Sequence, residues 1–163
     1  MKVNALVVFG LILFGLTGCS GDEGPSTQNS ITLSGQKFKV TVAAITGVAI
    51  DGEGHAGISF SHVTNTSSKT LNIDIEYAGD SDVSGTYSYP QTGDSGILIE
   101  GLTNYTEMNM EGDFYTAELE SGAVTVEKNS GDNYTVVMNL TMVDGKVFSG
   151  TYKGKFVTQF SNQ

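Results

Sequence analysis

NYTVVMNLTMVDGKVFSGTYKGKF, residues 133–156, is the stretch that decides the fold class. Val136, Met138, Leu140 and Met142 alternate with Val137, Asn139 and Thr141, a period of two that lays one strand face on a core and turns the other to water. Asp144-Gly145-Lys146 is turn chemistry, with glycine supplying the backbone freedom a tight reversal needs. The second limb places Phe148, Gly150, Tyr152, Gly154 and Phe156 on one face. Glycine on the apolar face of a strand weakens it locally and lets it bend, the device by which a sheet curls into a barrel.

The same alternation recurs upstream. Phe38, Val40, Val42 and Ala44 alternate with Lys37, Lys39 and Thr41; Ile58 and Phe60 with Ser59 and Ser61; Leu71, Ile73, Ile75 and Tyr77 with Asn72, Asp74 and Glu76; Val124 and Val126 with Thr125 and Glu127. Clusters of Gly, Asp, Asn and Ser separate these runs, prolines are nearly absent, and no helical stripe of useful length occurs. The pattern predicts an all-β domain of roughly eight to ten antiparallel strands. Long strands, tight turns and inward glycines favour a closed up-and-down barrel, which also removes aggregation-prone edges. Ser84-Gly85-Thr86-Tyr87 recurs as Ser149-Gly150-Thr151-Tyr152. In the same register Ile73 to Tyr77 falls on Met138 to Met142. The expectation is a three-strand meander near 56–89 repeated near 122–156; chance and convergence on one barrel geometry are the alternatives.

The amino-terminal residues carry an address. Lys2 precedes an apolar run over residues 3–16, too short for a membrane-spanning helix of about 20 residues but suited to a signal peptide. It ends in Leu16-Thr17-Gly18-Cys19, which resembles the lipobox of bacterial lipoproteins. That resemblance implies cleavage after Gly18 and lipidation of Cys19; an ordinary secreted protein with a chance cysteine is the alternative. Residues 20–30 hold no apolar side chain and read as a disordered tether. Within it Ser20-Gly21-Asp22-Glu23 resembles the acidic export signal of surface-displayed lipoproteins of the Bacteroidota, and equally describes a soluble spacer. The expected organisation is a signal peptide over 1–18, a lipidated tether over 19–30 and a β-barrel domain over 31–163. The expected location is the cell envelope, held to the outer membrane by the lipid, with the periplasmic and the surface-exposed face both left open.

Eight basic against 18 acidic residues give a formal net charge of −10, and there is no arginine. Such a chain is poorly suited to nucleic acid or to direct adhesion to anionic lipid, so the membrane partner is reached through the anchor alone. Cys19 is the only cysteine, which excludes disulfides within the chain and thiolate metal sites.

Residues 121–156 (Ser-Gly-x-Val-Thr-Val, Gly-Asp-Asn-Tyr-Thr, a long strand, Asp-Gly-Lys and Ser-Gly-x-Tyr-x-Gly) together with the lipobox resemble the small calycin-like, or lipocalin-like, β-barrel lipoproteins of the Bacteroidota. The resemblance implies a lipocalin-like barrel and brings no catalytic residues. It covers roughly the last third well; residues 90–120 are only compatible with it, which leaves strand count and any cavity mouth undefined there.

Candidate chemistry is sparse. His55 follows Asp51 and Glu53, a set that can ligate a divalent ion but also describes a solvated turn. His62, beside Ser61, reads as an exposed strand residue. Asp80-Ser81-Asp82-Val83-Ser84-Gly85 imitates the opening of a calcium loop, yet its twelfth position is Gln91, so an acidic hairpin turn is expected. Asp74 and Glu76 share a strand face as glycosidase carboxylates do, but in so acidic a chain alternation alone produces such pairs. The sequons at Asn65, Asn104, Asn133 and Asn139 read as turn and strand residues. No catalytic residue, metal or cofactor is assigned. Tyr87, Tyr89, Tyr105, Tyr115 and Tyr152 either line a barrel mouth, where they would hold a small hydrophobic molecule or a glycan, or fill the interior. The expected function is a non-catalytic cell-envelope binding module for such a ligand. The alternative is a solid barrel that binds other proteins through its loops, and a third reading is a hydrolase using Asp74 and Glu76. Oligomeric state is left open.

Overall fold

The computed structural model describes residues 27–50, 52–79 and 82–162. The expected signal peptide, Cys19, most of the expected tether, Asp51, Asp80 and Ser81 lie outside the described residues. All regular structure among the described residues is β: β1 Gln28–Asn29, β2 Thr32–Leu33, β3 Gln36–Lys37, β4 Val42–Ile50, β5 Glu53–Val63, β6 Ser67–Ala78, β7 Gly85–Tyr89, β8 Gly96–Leu98, β9 Asn104–Asn109, β10 Phe114–Ser130, β11 Asn133–Met142, β12 Val147–Lys155 and β13 Val157–Asn162.

A single sheet runs β13-β4-β5-β6-β8-β7-β10-β11-β12-β2-β3, with β9 bridging β6 and β10. The bridge closes a hydrogen-bonded ring of five strands, β6-β8-β7-β10-β9. At one end of β6, residues 67–72 pair with β9, while Ile75 and Glu76 pair with β8 further along. The long β10 divides likewise, residues 114–118 pairing with β9 and 122–126 with β7. The chain then runs from β12 through Phe156 straight into β13, which pairs with β4. Both flanks of the sheet therefore lie on one continuous run of backbone.

Several expectations need correction. The barrel is mixed, not purely antiparallel and up-and-down, because β7–β8 and β13–β4 are parallel pairs. The strand count exceeds ten because residues 28–37 and 85–109 break into short pieces. The repeat is not a repeat of structure. Strands β10, β11 and β12 form a true meander, but β6 gives its second edge to β8 and β9, and β7 pairs with β10 instead. Phe38 and Ala44 do not share one strand. Residues 38–41 cross from the β2–β3 hairpin to β4, so Ala43 and Ile45 face the core while Val42 faces water. Ordered pairing begins at β1, inside the stretch read as tether.

The inward faces meet in one cluster. Phe38 packs edge-on against Phe148, with centroids 5.5 Å apart, and Tyr105 lies 5.0 Å from Phe148. Phe60 touches Tyr152 at 5.3 Å and Phe156 at 5.7 Å, linking β5 to β12 across the interior. Ile31, Ile45, Ile58, Leu71, Ile73 and Leu98 are fully buried around these rings. The interior is packed with side chains.

Gly150 explains how the amino-terminal strap enters this core. Asn29 pairs with Tyr152 and Leu33 with Phe148; between them Ser30 N–H donates to the Thr151 carbonyl at 2.8 Å and Thr151 N–H to Ser30 Oγ at 3.0 Å. That local departure tucks Ile31 into the core. Gly150 sits beneath it at φ +124°, and a Cβ there would run into the Ser30 carbonyl.

Candidate functional site

The five tyrosines do not gather at one mouth. Tyr87 is buried with its hydroxyl donating to the Val83 carbonyl at 3.0 Å, and burial, then Asp82 and Tyr77, push its pKa up to about 12. Tyr152 is buried among Phe60 and Phe156. Tyr105 is fully buried and donates to Glu107 Oε1 at 2.7 Å; burial and that carboxylate raise its pKa strongly. Tyr89 and Tyr115 are half-buried against the core cluster, Tyr89 bonded to Glu100. Three of the five therefore fill the interior.

The barrel has two distinct ends. One lies at the start of β5, where Gly52 accepts from Gly79 N–H. The opposite end carries the β5–β6 and β9–β10 hairpins and the 143–146 turn, and here the apolar surface is exposed. Val63, Ser68, Met108 and Phe114 are successive register partners across β5, β6, β9 and β10. All four belong to the outward parity, because Phe60, Leu71, Tyr105 and Ala117 hold the inward one. Val63 is 52% exposed, Met108 53% and Phe114 65%, and Met110 in the adjoining turn is 78% exposed. Met110 N–H donates to the Thr66 carbonyl at 3.1 Å, tying the two hairpins together, and a shallow cavity of about 250 Å³ lies between them.

This end is acidic around its apolar row. Lys69 pairs with Glu107 at 3.1 Å, and Lys146 pairs with Asp144, donates to Tyr115 Oη at 2.8 Å and lies 4.3 Å from the Tyr115 ring centre. Burial raises the Asp144 carboxyl, but hydrogen bonds from Lys146 and Tyr115 outweigh it and bring the pKa down to about 2. Both lysines are thus engaged by carboxylates, while Glu111, Asp113 and Glu118 have no cation within ion-pair distance among the described residues.

Near the start of β5 a cleft of about 450 Å³ is lined by Glu53, His55, Glu76, Tyr77, Tyr87 and Asp94 among others. Asp74 and Glu76 do share an outward face of β6. His55 faces the same side of β5, opposite Glu76. Among the described residues no three His, Cys, Asp or Glu side chains converge to hold a metal, and Asp51 lies outside them. Asp82 accepts from Ser84 N–H at 2.7 Å, while Asp80, the first ligand of the imitated calcium loop, is likewise outside. His62 is corrected: it shares the parity of Phe60, is half-buried, and its Nδ1 is buried without a hydrogen-bond partner. Adjacency to Ser61 misled the reading; alternation from Ile58 was the better signal.

The apolar row lies largely in residues 90–120, where the sequence reading was weakest. Its signal was present in Met108-x-Met110 and in Phe114 directly after a Gly-Asp turn, large apolar residues flanking a reversal. No family model, curated protein or solved structure matches the chain.

Proposed function

We propose that this protein is a non-catalytic binding module of the cell envelope, a solid barrel that grips another protein through the Val63–Met108–Phe114 row and Met110. The observation that carries the reading is the exposure of four large apolar side chains on two hairpins hydrogen-bonded to each other, with Ser68 standing between Val63 and Met108 in the row. A monomer has little reason to leave such a strip in water. The large buried rings and aliphatic side chains at the inward positions favour recognition at the outer surface over a cargo held inside.

Charge selects the partner. A second copy would bring together two chains of net charge −10. An anionic membrane surface is disfavoured on the same ground. The partner we infer is an apolar protein segment flanked by lysine or arginine, whose cations meet Glu111, Asp113 and Glu118. The Leu-x-Gly-Cys pattern supports the cell-envelope address, and the calycin-like run supports the lipocalin-like kinship.

The test is site-directed photo-crosslinking in living cells of the native host. A benzophenone residue at position 110 or 114 is expected to capture one defined protein through a basic, apolar segment, with loss of the adduct in Phe114→Ser. The same probe at position 139, exposed on β11 opposite Ala123, is expected to capture none. Equal capture from all three positions, or none from the first two, refutes the reading.

A further inference from the structure

Glycine within a strand costs about 0.5–1 kcal/mol relative to alanine, so each one asks for a reason. The strands of the described residues contain Gly47, Gly54, Gly57, Gly85, Gly96, Gly122, Gly150 and Gly154. Seven have one. A Cβ would press on Phe160 at Gly47 (2.7 Å), Tyr87 at Gly96 (2.6 Å) and Gly85 (3.2 Å), and Thr27 at Gly154 (3.0 Å); Gly54 lies under the Tyr77 ring; Gly122 and Gly150 meet backbone at positive φ. Gly57 is the exception. A Cβ there would stand 3.5 Å from Asp74 Oδ2 and 3.7 Å from Thr46 Oγ1, ordinary contacts, and its backbone is not left-handed.

Directly opposite Gly57 in the β5–β6 register stands Asp74. Its carboxyl is partly buried, and no hydrogen bond to its side-chain oxygens is recorded in the structure; burial raises its pKa, with His55 offsetting part of the rise. Two residues that each weaken the sheet thus face one another, in the middle of its outer surface. Local departures from what the fold favours mark function. Around them lies a groove of about 400 Å³ whose other walls include Thr46, His55, Gln159 and Ser161. It joins the 450 Å³ cleft at His55, which lines both.

We propose that this groove is a carbohydrate-binding site, with Gly57 as the open floor and Asp74 as the acceptor of ligand hydroxyls. The wall chemistry selects the class. Asp74 only accepts hydrogen bonds, whereas the Thr46 and Ser161 hydroxyls and the Gln159 amide both donate and accept. A saccharide hydroxyl matches this mixture because it does both at once, and a run of them matches an elongated groove. A hydrophobic ligand would strand these groups, and a metal ion would need converging ligands that the described residues do not provide. The site is independent of the apolar row, being set on the outer face of β13, β4, β5 and β6.

The experiment uses the purified full chain, ¹⁵N-labelled, titrated separately with maltotetraose, chitotetraose, xylotetraose and mannotetraose to 10 mM. At least one is expected to shift the amides of Thr46, His55, Gly57 and Asp74 together and saturably. Gly57→Val, which fills the floor, and Asp74→Asn, which keeps the shape but removes the charge, are each expected to weaken that binding roughly tenfold or more. Gly57→Ala is expected to leave the Tm unchanged or higher, showing that the fold does not need this glycine. Silence of those amides with all four sugars overturns the proposal. So does undiminished binding by folded Gly57→Val, or a lowered Tm in Gly57→Ala. Photo-crosslinking from position 110 is indifferent to each of these results, so the two readings fail separately.

Discussion

Gly150→Ala is the substitution from which the architecture predicts most. At φ +124° an L side chain is strained, by about 1–3 kcal/mol. The new methyl would also meet the Ser30 carbonyl, so the strap must lift or β12 must retreat. Lifting the strap withdraws Ile31, fully buried in the wild type, at about 1.5–3 kcal/mol if the withdrawal is complete. It also loosens the bonds between Ser30 and Thr151, at about 0.5–1.5 kcal/mol each. Alanine returns about 0.4–1 kcal/mol by restricting the unfolded chain. Partial relaxation along these routes gives an expected loss of about 2–4 kcal/mol, with a Tm lower by about 8–15 °C. The chain has no tryptophan, so urea unfolding is best followed by far-ultraviolet circular dichroism and tyrosine fluorescence together. A loss below about 0.5 kcal/mol would refute the claim that the strap is seated on Gly150.

Other outcomes follow from single features. Phe60→Ala, which removes a fully buried ring touching Tyr152 and Phe156, should cost about 3–5 kcal/mol in the same denaturation assay. Asp144 has its folded pKa depressed, so its contribution is present above the unfolded value near 3.8 and disappears as pH falls toward about 2; Asp144→Asn should remove about 1 kcal/mol, after allowance for solvent screening, from the stability difference measured between pH 6 and pH 2. Asp74 has the opposite sign. Its raised folded pKa makes the charged form a burden at neutral pH, so Asp74→Asn should be more stable than the wild type at pH 7 and indistinguishable from it at pH 3 in the same denaturation assay. Globomycin, which blocks lipoprotein signal peptidase, is expected to accumulate a slower-migrating precursor, and an unchanged mobility would remove the lipid anchor on Cys19 from the account.

Alternation made the long strands legible. Leu71, Ile73 and Ile75 in β6 and Val136, Met138, Leu140 and Met142 in β11 are all buried, as their period of two requires. The tight turns at 131–132 and 144–145 were legible for the same reason: turn residues sit between two strong runs. What alternation does not carry is pairing. Nothing in the residues of β7 announces that its neighbours are β10 and a parallel β8, because register and partner are settled by the shape of the whole sheet. The glycines were read as bending elements, yet what Gly150 provides is room for the Ser30 carbonyl. Gly154 likewise makes room for Thr27, and Gly54 for a tyrosine ring. The tyrosines were ambiguous on the page because an aromatic with a polar tip suits both a mouth and a core; burial decides it, and burial is a property of the closed barrel. The apolar row was hidden by arithmetic. Val63, Met108 and Phe114 come from three strands and become one strip only when those strands are laid side by side.

The strap of β1 and β2 has a consequence for the order of events in folding. Ser30 meets Thr151 across 121 residues of chain, and β4 receives its parallel neighbour from the last strand, β13. Contacts so distant in sequence form slowly, since most of the chain must be gathered before they repay the loss of freedom. The amino-terminal strap and β13 thus complete the same side of the barrel. Until β12 and β13 are in place, β4 is exposed along one edge and nothing receives Ile31, so the barrel stays open.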